Sequence, residues 1–371
     1  MRVLILSCNT GGGHNSTGMA IKAYFEAQNV TCDVYDALSF WSARISKFIS
    51  GGHVFIYRNL PRLFGVGYRY EEKSETRFLY DLFAKSADNL YQFIVDGEYT
   101  HVICVHSFSA MTLTEVRRKY HPNIHTSFVA TDYTCSPGVS VSDLDLYFIP
   151  HEKLTDEFVR QGIPREKIIP SGIPVHPYFF LPTNKKSIRS LIDVPKSGKV
   201  IMLSCGSMGA GPMRRLAFRL KNRLAKNEYL VIICGTNEKL FRYLTFWLRH
   251  DRVRILSFSK NMYDLMAASD LLITKPGGIS TTEAAIRRLP FVSLNAVPGC
   301  ETRNLDFFLS IGVTKTAKGV RGIADLAFRI LRSPEERAAL RSALETEFAF
   351  NPGATVCKTL LALNDTQNPK E

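Results

Sequence analysis

The stretch Leu4–Ile21, LILSCNTGGGHNSTGMAI, decides how the chain is read. An apolar run ends in Gly11, Gly12 and Gly13. His14 and Asn15 follow, and a helical pattern starts behind them. Strand, glycine turn and helix in that order open a βαβ unit. Such a turn lets a ligand approach the backbone, and the helix behind it aims unbonded N–H groups and a positive dipole at the same point. The favoured ligand there is an anion, most often phosphate. No Gly-Lys-Ser/Thr follows and the G-x-G-x-x-G spacing is absent, which disfavours a P-loop or a nicotinamide site.

The same scheme recurs outward from this turn. Apolar runs of strand length stand at 3–7, 32–35, 101–105, 126–130 and 146–150, alternating with helical patterns. Near residue 170 the prolines Pro164, Pro170, Pro174, Pro177 and Pro182 break the pattern and suit neither a helix nor a central strand. The pattern then restarts with runs at 200–204, 230–234, 253–257, 271–274 and 291–294, and a second Gly-rich turn, CGSMGAG, at Cys205–Gly211. This alternation predicts α/β architecture with two doubly wound, Rossmann-like domains. The expected division is 1–170, a linker at 171–183, 184–347, and a helix and tail at 348–371 packing back toward the first domain. Open parallel sheets take ligands at the C-terminal edges of their strands, so the two domains are expected to face one another across a binding cleft.

A third turn, ITKPGGISTTEAAIRR, runs from Ile273 to Arg288. Ser280 and Glu283 have capping-box spacing. Equally, a carboxylate near the start of a helix at the ligand edge can accept two ribose hydroxyls. Spacing leaves both readings of Glu283 open.

The 371 residues carry a net charge of +13, which points to an anionic partner: nucleic acid, an anionic lipid surface or a phosphorylated substrate. No apolar run approaches the roughly 20 residues that span a bilayer, and Val3–Leu6 is too short for a signal peptide. A cytoplasmic location is expected. The eight cysteines show no C-x-x-C pair or zinc spacing and read as buried reduced thiols. No metal site is expected; Asp143 and Asp145 spell D-x-D but precede their strand rather than follow it.

The motifs GGGHNSTGMAI, FVATDY (128–133), PSGIPV (170–175), CGSMGAG, SDLLITKPGGISTTEAAIRRLPFV (269–292) and VPGCETRNLDFFLSIGV (297–313) resemble, in order and over nearly the whole chain, those of a known group. It comprises the GT-B glycosyltransferases of family 28, in the branch of monogalactosyldiacylglycerol synthases and processive diacylglycerol glucosyltransferases. The resemblance implies an inverting, metal-independent transfer of a hexose from a UDP-sugar to diacylglycerol or a similar lipid, with no cofactor beyond the donor. Carried over by motif, Glu283 resembles the ribose ligand. Ser207 and Gly209, with Gly12 and Gly13, resemble diphosphate contacts, and Phe258 resembles the residue whose backbone reads uracil. Gly277, Gly278, Thr281 and Thr282 flank the phosphates, and Glu301 and Asn304 stand where the family contacts the donor. His14 matches the family's proposed base, with Asp132 as second candidate for base or base-orienting group. The chain departs from the family pattern at Cys300, where Gln is usual, and at Cys135–Pro137, where a histidine and a tryptophan often follow the Thr-Asp pair.

A lipid hydroxyl needs a base as it attacks, and a histidine is neutral and proton-accepting near neutrality. A neighbouring diphosphate would raise its pKa, making it instead an electrostatic partner of the leaving group. From Ala37 to Tyr70 the chain has no acidic residue and interleaves Arg44, Lys47, Arg58, Arg62 and Arg69 with Phe, Trp and Tyr. This suits an interfacial element on an anionic membrane, or equally aromatic core beneath a solvated basic face. The membrane reading predicts peripheral attachment to the inner face of the cell membrane. The basic run Arg214–Lys226 reads as a solvated helix face. Competing functions are N-acetylhexosamine transfer to a polyprenyl-linked intermediate, a sugar-nucleotide-binding protein without catalysis, and a nucleic-acid-binding protein; no nucleic-acid reading motif supports the last.

Overall fold

The computed structural model describes residues 1–9, 12–40, 80, 83–296 and 298–367. The chain divides into two compact units: Met1–Pro177 with Val297–Arg303 and Phe350–Glu371, and Tyr178–Ala296 with Asn304–Ala349.

The first unit is built on a parallel sheet of order β2-β1-β3-β4-β5-β6. Its strands are β1 (Arg2–Ser7), β2 (Thr31–Asp36), β3 (His101–Cys104), β4 (His125–Val129), β5 (Leu146–Ile149) and β6 (Ile168–Pro170). Val3, Leu4, Ile5 and Leu6 are all fully buried, because a parallel sheet has helices on both faces and its inner strands lose their polar alternation. The helix Gly12–Glu26 turns Ile21 and Phe25 into that core, where Val356, Cys357 and Leu360 of the last helix, Pro352–Gln367, join them. Tyr24 donates from its hydroxyl to Asn351 Oδ1 at 2.7 Å, tying the two helices together.

The second unit repeats the architecture. Its strands are β7 (Lys199–Ser204), β8 (Glu228–Ile233), β9 (Val253–Leu256), β10 (Leu271–Thr274), β11 (Phe291–Ser293) and β12 (Thr314–Lys315). Their order, β12-β11-β10-β7-β8-β9, is that of the doubly wound dinucleotide-binding fold. Ile201, Leu203, Leu230, Ile273, Ile323 and Ala327 belong to one buried cluster between the sheet and its helices. Glu228, buried at the start of β8, accepts from the exposed Arg332 Nε at 2.8 Å, which ties the end of the helix Gly319–Arg332 to the sheet.

Two short strands escape a reading by apolar runs. β6 lies at the sheet edge, where Pro170 costs no ladder bond, and β12 has two residues. The proline-rich segment is not a free linker over its whole length. Ser171 and Gly172 both donate to Ile149 O, and a Cβ at Gly172 (φ +86°) would meet the Phe350 ring at 2.2 Å. The unit boundary falls later, between Pro177 and Tyr178.

Strand order fixes where each sheet can bind. From β1 the chain runs to β2 on one side, then returns to β3 on the other. From β7 it runs to β8 and β9, then returns to β10. At such switch points adjacent loops diverge and leave a crevice. The glycine turn after β1 adjoins the loop after β3, and CGSMGAG adjoins Lys275–Gly278.

Candidate active site

In the first unit His14 is the third residue of the helix Gly12–Glu26. Its Nδ1 lies 2.9 Å from Val105 O, at the end of β3. A carbonyl can only accept, so Nδ1 carries the proton and the lone pair of the neutral ring falls on Nε2. Thr131 Oγ1, beyond β4, stands 3.0 Å from the same Nδ1. The ring meets that of His106 edge-on at 4.5 Å. His106 caps the helix Ser107–Tyr120, its Nδ1 accepting from Phe108 N at 3.1 Å. Asp132 follows Thr131 directly and is half-buried. Beside the turn, Asn15 Nδ2 donates to Asn9 Oδ1 and Asn9 Nδ2 to Asp36 Oδ2, each at 2.6 Å, which ties the glycine turn to the end of β2. Gly12 and Gly13 supply the first helical amides; Gly11 lies outside the described residues.

In the second unit the loop after β7 is held tightly. A Cβ at Gly209 (φ +55°) would stand 2.0 Å from Cys234 O, and one at Gly235 would stand 2.2 Å from Ser207 O. Thr236 N donates to Ser207 O at 2.8 Å and Asn237 Nδ2 donates to Gly209 O at 3.1 Å. The Gly209 amide is itself taken by Gly206 O. This glycine therefore shapes the loop by close approach rather than offering a spare N–H. The Ser207 hydroxyl and amide have no hydrogen-bond partner among the described residues.

The loop after β10 brings a cation to this point. Lys275 lies against Gly206, its Cε 3.1 Å from where a Cβ would be, and 3.9 Å from the equivalent position at Gly277. Gly206 has a positive φ of +69°, a conformation that suits glycine. Asn304 is fully buried and donates to Pro276 O at 3.1 Å, bracing the turn. Gly277 is the N-cap and the helix runs Gly278–Ile286. Ser280 thus sits inside the helix and is not its cap, so the capping-box reading of Glu283 is corrected.

Glu283 has no side-chain hydrogen bond or ion pair among the described residues. Its neighbours Thr282, Ala284 and Ala285 are buried, and desolvation pushes its carboxyl up to about 8. A carboxyl that is desolvated, unpaired and partly open to one side is poised for a neutral hydrogen-bonding ligand, as a diol is. Thr281 and Thr282 are fully buried, and both hydroxyls donate back to helix carbonyls at Gly277 and Gly278. Phe258 is exposed in the loop after β9, and Glu301 is buried in the first turn of the helix Cys300–Ser310. Asp143 and Asp145, before β5, are paired with Lys167 at 2.9 Å and Arg117 at 2.8 Å.

The motif reading did not single out Lys275, although it is the one cation in the turn LLITKPGG. Val105, Thr131 and His106 carry no local signal, because they reach His14 only through strand order.

Residues 14–175 match the family described as Monogalactosyldiacylglycerol (MGDG) synthase, and residues 200–294 match the Glycosyltransferase family 28 C-terminal domain. The two matches lie in chain order, one in each unit of the fold. The chain is 22% identical to the processive diacylglycerol beta-glucosyltransferase of Bacillus cereus (strain B4264), over 99% of this chain and 95% of the relative. It is 28% identical to the enzyme of the same name from Staphylococcus saprophyticus, over 69% of this chain and 66% of the relative. The solved structure of S. aureus MnaA with UDP is 14% identical, covers 99% of this chain and 97% of its own, and superposes with a TM-score of 0.63. The chain thus has the GT-B fold, with two parallel-sheet α/β domains.

Proposed function

We propose that the protein transfers a hexose from a UDP-sugar to diacylglycerol or a similar membrane lipid. The observation that carries this reading is Glu283, an unpaired, desolvated carboxyl at the switch point of the second sheet, beside Lys275 and the start of a helix. The names of the curated relatives support diacylglycerol as the acceptor.

In this reading the second unit holds the donor. Glu283 accepts the two ribose hydroxyls, the loop near Phe258 receives the base, and Glu301 meets the sugar. Lys275, the Ser207 hydroxyl and the first amides of the helix Gly278–Ile286 meet the diphosphate. Gly209, Thr281 and Thr282 shape that surface, and Asn304 steadies its turn. Gly12 and Gly13 are taken as further diphosphate contacts on the family resemblance alone. The acceptor hydroxyl oxygen attacks the anomeric carbon as its proton passes to His14 Nε2. The bond from that carbon to the diphosphate oxygen breaks, and UDP leaves with inversion. Val105 O and Thr131 hold the ring in the tautomer this step needs. Asp132 is a positioning candidate next to Thr131. Charge on the leaving group is met by Lys275 and helix amides, so turnover should persist in a chelator.

A bilayer acceptor calls for contact with a membrane surface, on the cytoplasmic side where UDP-sugars are made. The basic aromatic stretch read for that role falls, from residue 41 to 70, outside the described residues. No described helix is long and apolar enough to cross a membrane.

The test is UDP release in chelator from liposomes of diacylglycerol and anionic phospholipid, with a panel of UDP-sugars. Acceptor-dependent release for one sugar is expected. UDP binding without release for any sugar would overturn the diacylglycerol acceptor and turn attention to a polyprenyl-linked one.

A further inference from the structure

The helix Glu238–Trp247 is fastened at one end to the donor loop. Its N-cap Asn237 accepts from Leu240 N through Oδ1 and donates to Gly209 O through Nδ2. Leu244 and Leu248 face the core of the second unit. The other end of the helix is different. Phe246 and Trp247 are 61% and 62% exposed, adjacent, with ring centroids 4.8 Å apart. Tyr243 continues the patch, 6.4 Å from the Trp247 ring. Two bulky aromatic residues left more than half exposed at a helix end form an apolar patch, and such patches mark docking surfaces.

The surroundings say what docks. Between Met213 and Arg254 eleven Lys and Arg stand against three acids, Glu228, Glu238 and Asp251. Glu228 is buried and bound to Arg332, so it contributes little to the surface. The Arg214 guanidinium lies 4.8 Å from the Tyr243 ring and that of Arg249 lies 5.9 Å from the Phe246 ring. Arg214, Arg215, Lys239 and Arg249 are exposed and have no acidic partner among the described residues. The Arg242–Glu238 pair, at 3.1 Å, is fully solvated and weak. A second copy of this chain would bring the same positive rim against it. An anionic lipid surface supplies the opposite charge, and it seats Trp, Tyr and Phe rings at headgroup depth.

We propose that the second unit docks on anionic bilayers through Phe246 and Trp247, with Tyr243 behind them and Arg214, Arg215, Lys239 and Arg249 as a basic rim. The surface rests on the lipid-acceptor reading for its purpose, but its chemistry stands apart from the catalytic groups. The same helix joins docking surface and donor loop as one rigid strut, about 15 Å from Asn237 to Trp247 at the usual helical rise.

The chain has two tryptophans, Trp41 and Trp247, so Trp41→Phe leaves Trp247 as sole reporter. With phosphatidylglycerol vesicles its emission should shift to the blue and be quenched by brominated acyl chains; with neutral phosphatidylcholine it should respond far less. Phe246→Ala with Trp247→Ala, read by vesicle co-sedimentation in the otherwise unaltered chain, should weaken partitioning at least tenfold. Arg249→Ala or Lys239→Ala should each weaken it about fivefold. Vesicles that bind the chain while Trp247 stays in water, or binding unchanged in the double variant, would overturn the proposal. So would a blue shift that follows protein concentration without lipid, which marks a second copy as the occupant. UDP release with diacylglycerol in mixed micelles should survive the double variant. Its absence in the parent chain would sink the lipid-acceptor reading instead, with the Trp247 signal judged separately.

Discussion

His14 is held by the main chain of Val105, ninety-one residues further along, with Nδ1 2.9 Å from the carbonyl oxygen. The contact joins the helix after β1 to the end of β3, across the switch point of the first sheet. It sets a ring tautomer whose lone pair lies on Nε2, as a proton-accepting role requires. His14→Ala should lower kcat by about 10²–10⁴-fold, the usual worth of a general base. UDP affinity, read by calorimetry, should stay within about twofold. Normal turnover by this variant would remove His14 from the mechanism.

Glu283 should make the ligand-free protein pH-sensitive. Its folded carboxyl titrates near 8 against 4.5 for the ordinary group, so between those values the folded state holds a proton that the unfolded chain releases. Its contribution to stability is complete below about 4.5 and is lost as pH rises through about 8. Glu283→Gln cannot ionise and should flatten that slope. The variant should be more stable than the parent at pH 8.5 by on the order of 1 kcal/mol, discounted for the group's partial exposure. Ribose hydroxyls donate to the ionised form, so UDP binding near neutral pH should release a proton. Titration in buffers of different ionisation enthalpy would detect this in the parent and not in Glu283→Gln.

In the proposed reading Lys275 answers the diphosphate charge. Lys275→Met should weaken UDP binding about tenfold or more, as expected for a charge-assisted contact. Uridine, which lacks the phosphates, should bind both forms alike. Equal loss for uridine and UDP would mean that the side chain only supports the loop.

Gly209 and Gly211 separate contact from conformation. Both have positive φ, but a Cβ at Gly209 meets Cys234 O at 2.0 Å, whereas nothing lies within 4 Å of one at Gly211. Gly211→Ala should cost about 1–2 kcal/mol, the strain of the left-handed region alone. Gly209→Ala must also displace backbone, and should lower the melting temperature further and abolish UDP binding. Equal melting temperatures for the two variants would contradict the packing described for this loop.

What the chain sequence determined by itself was local. Strands buried on both faces read as apolar runs, so β1, β7 and β10 stood out, and glycines at strand ends marked the turns. β6 and β12 did not stand out, because a proline at a sheet edge and a two-residue strand leave no periodic signal. Family motifs named Glu283 and His14, yet spacing could not separate a capping box from a ligand. Tertiary structure removed the capping box, by starting the helix at Gly278 so that Ser280 lies inside it. It also decided that His14 meets Val105 and that Lys275 lies on Gly206. Parallel strands pair through long crossovers, so which loops become neighbours depends on strand order, and strand order is set by long-range packing rather than by any short stretch of residues.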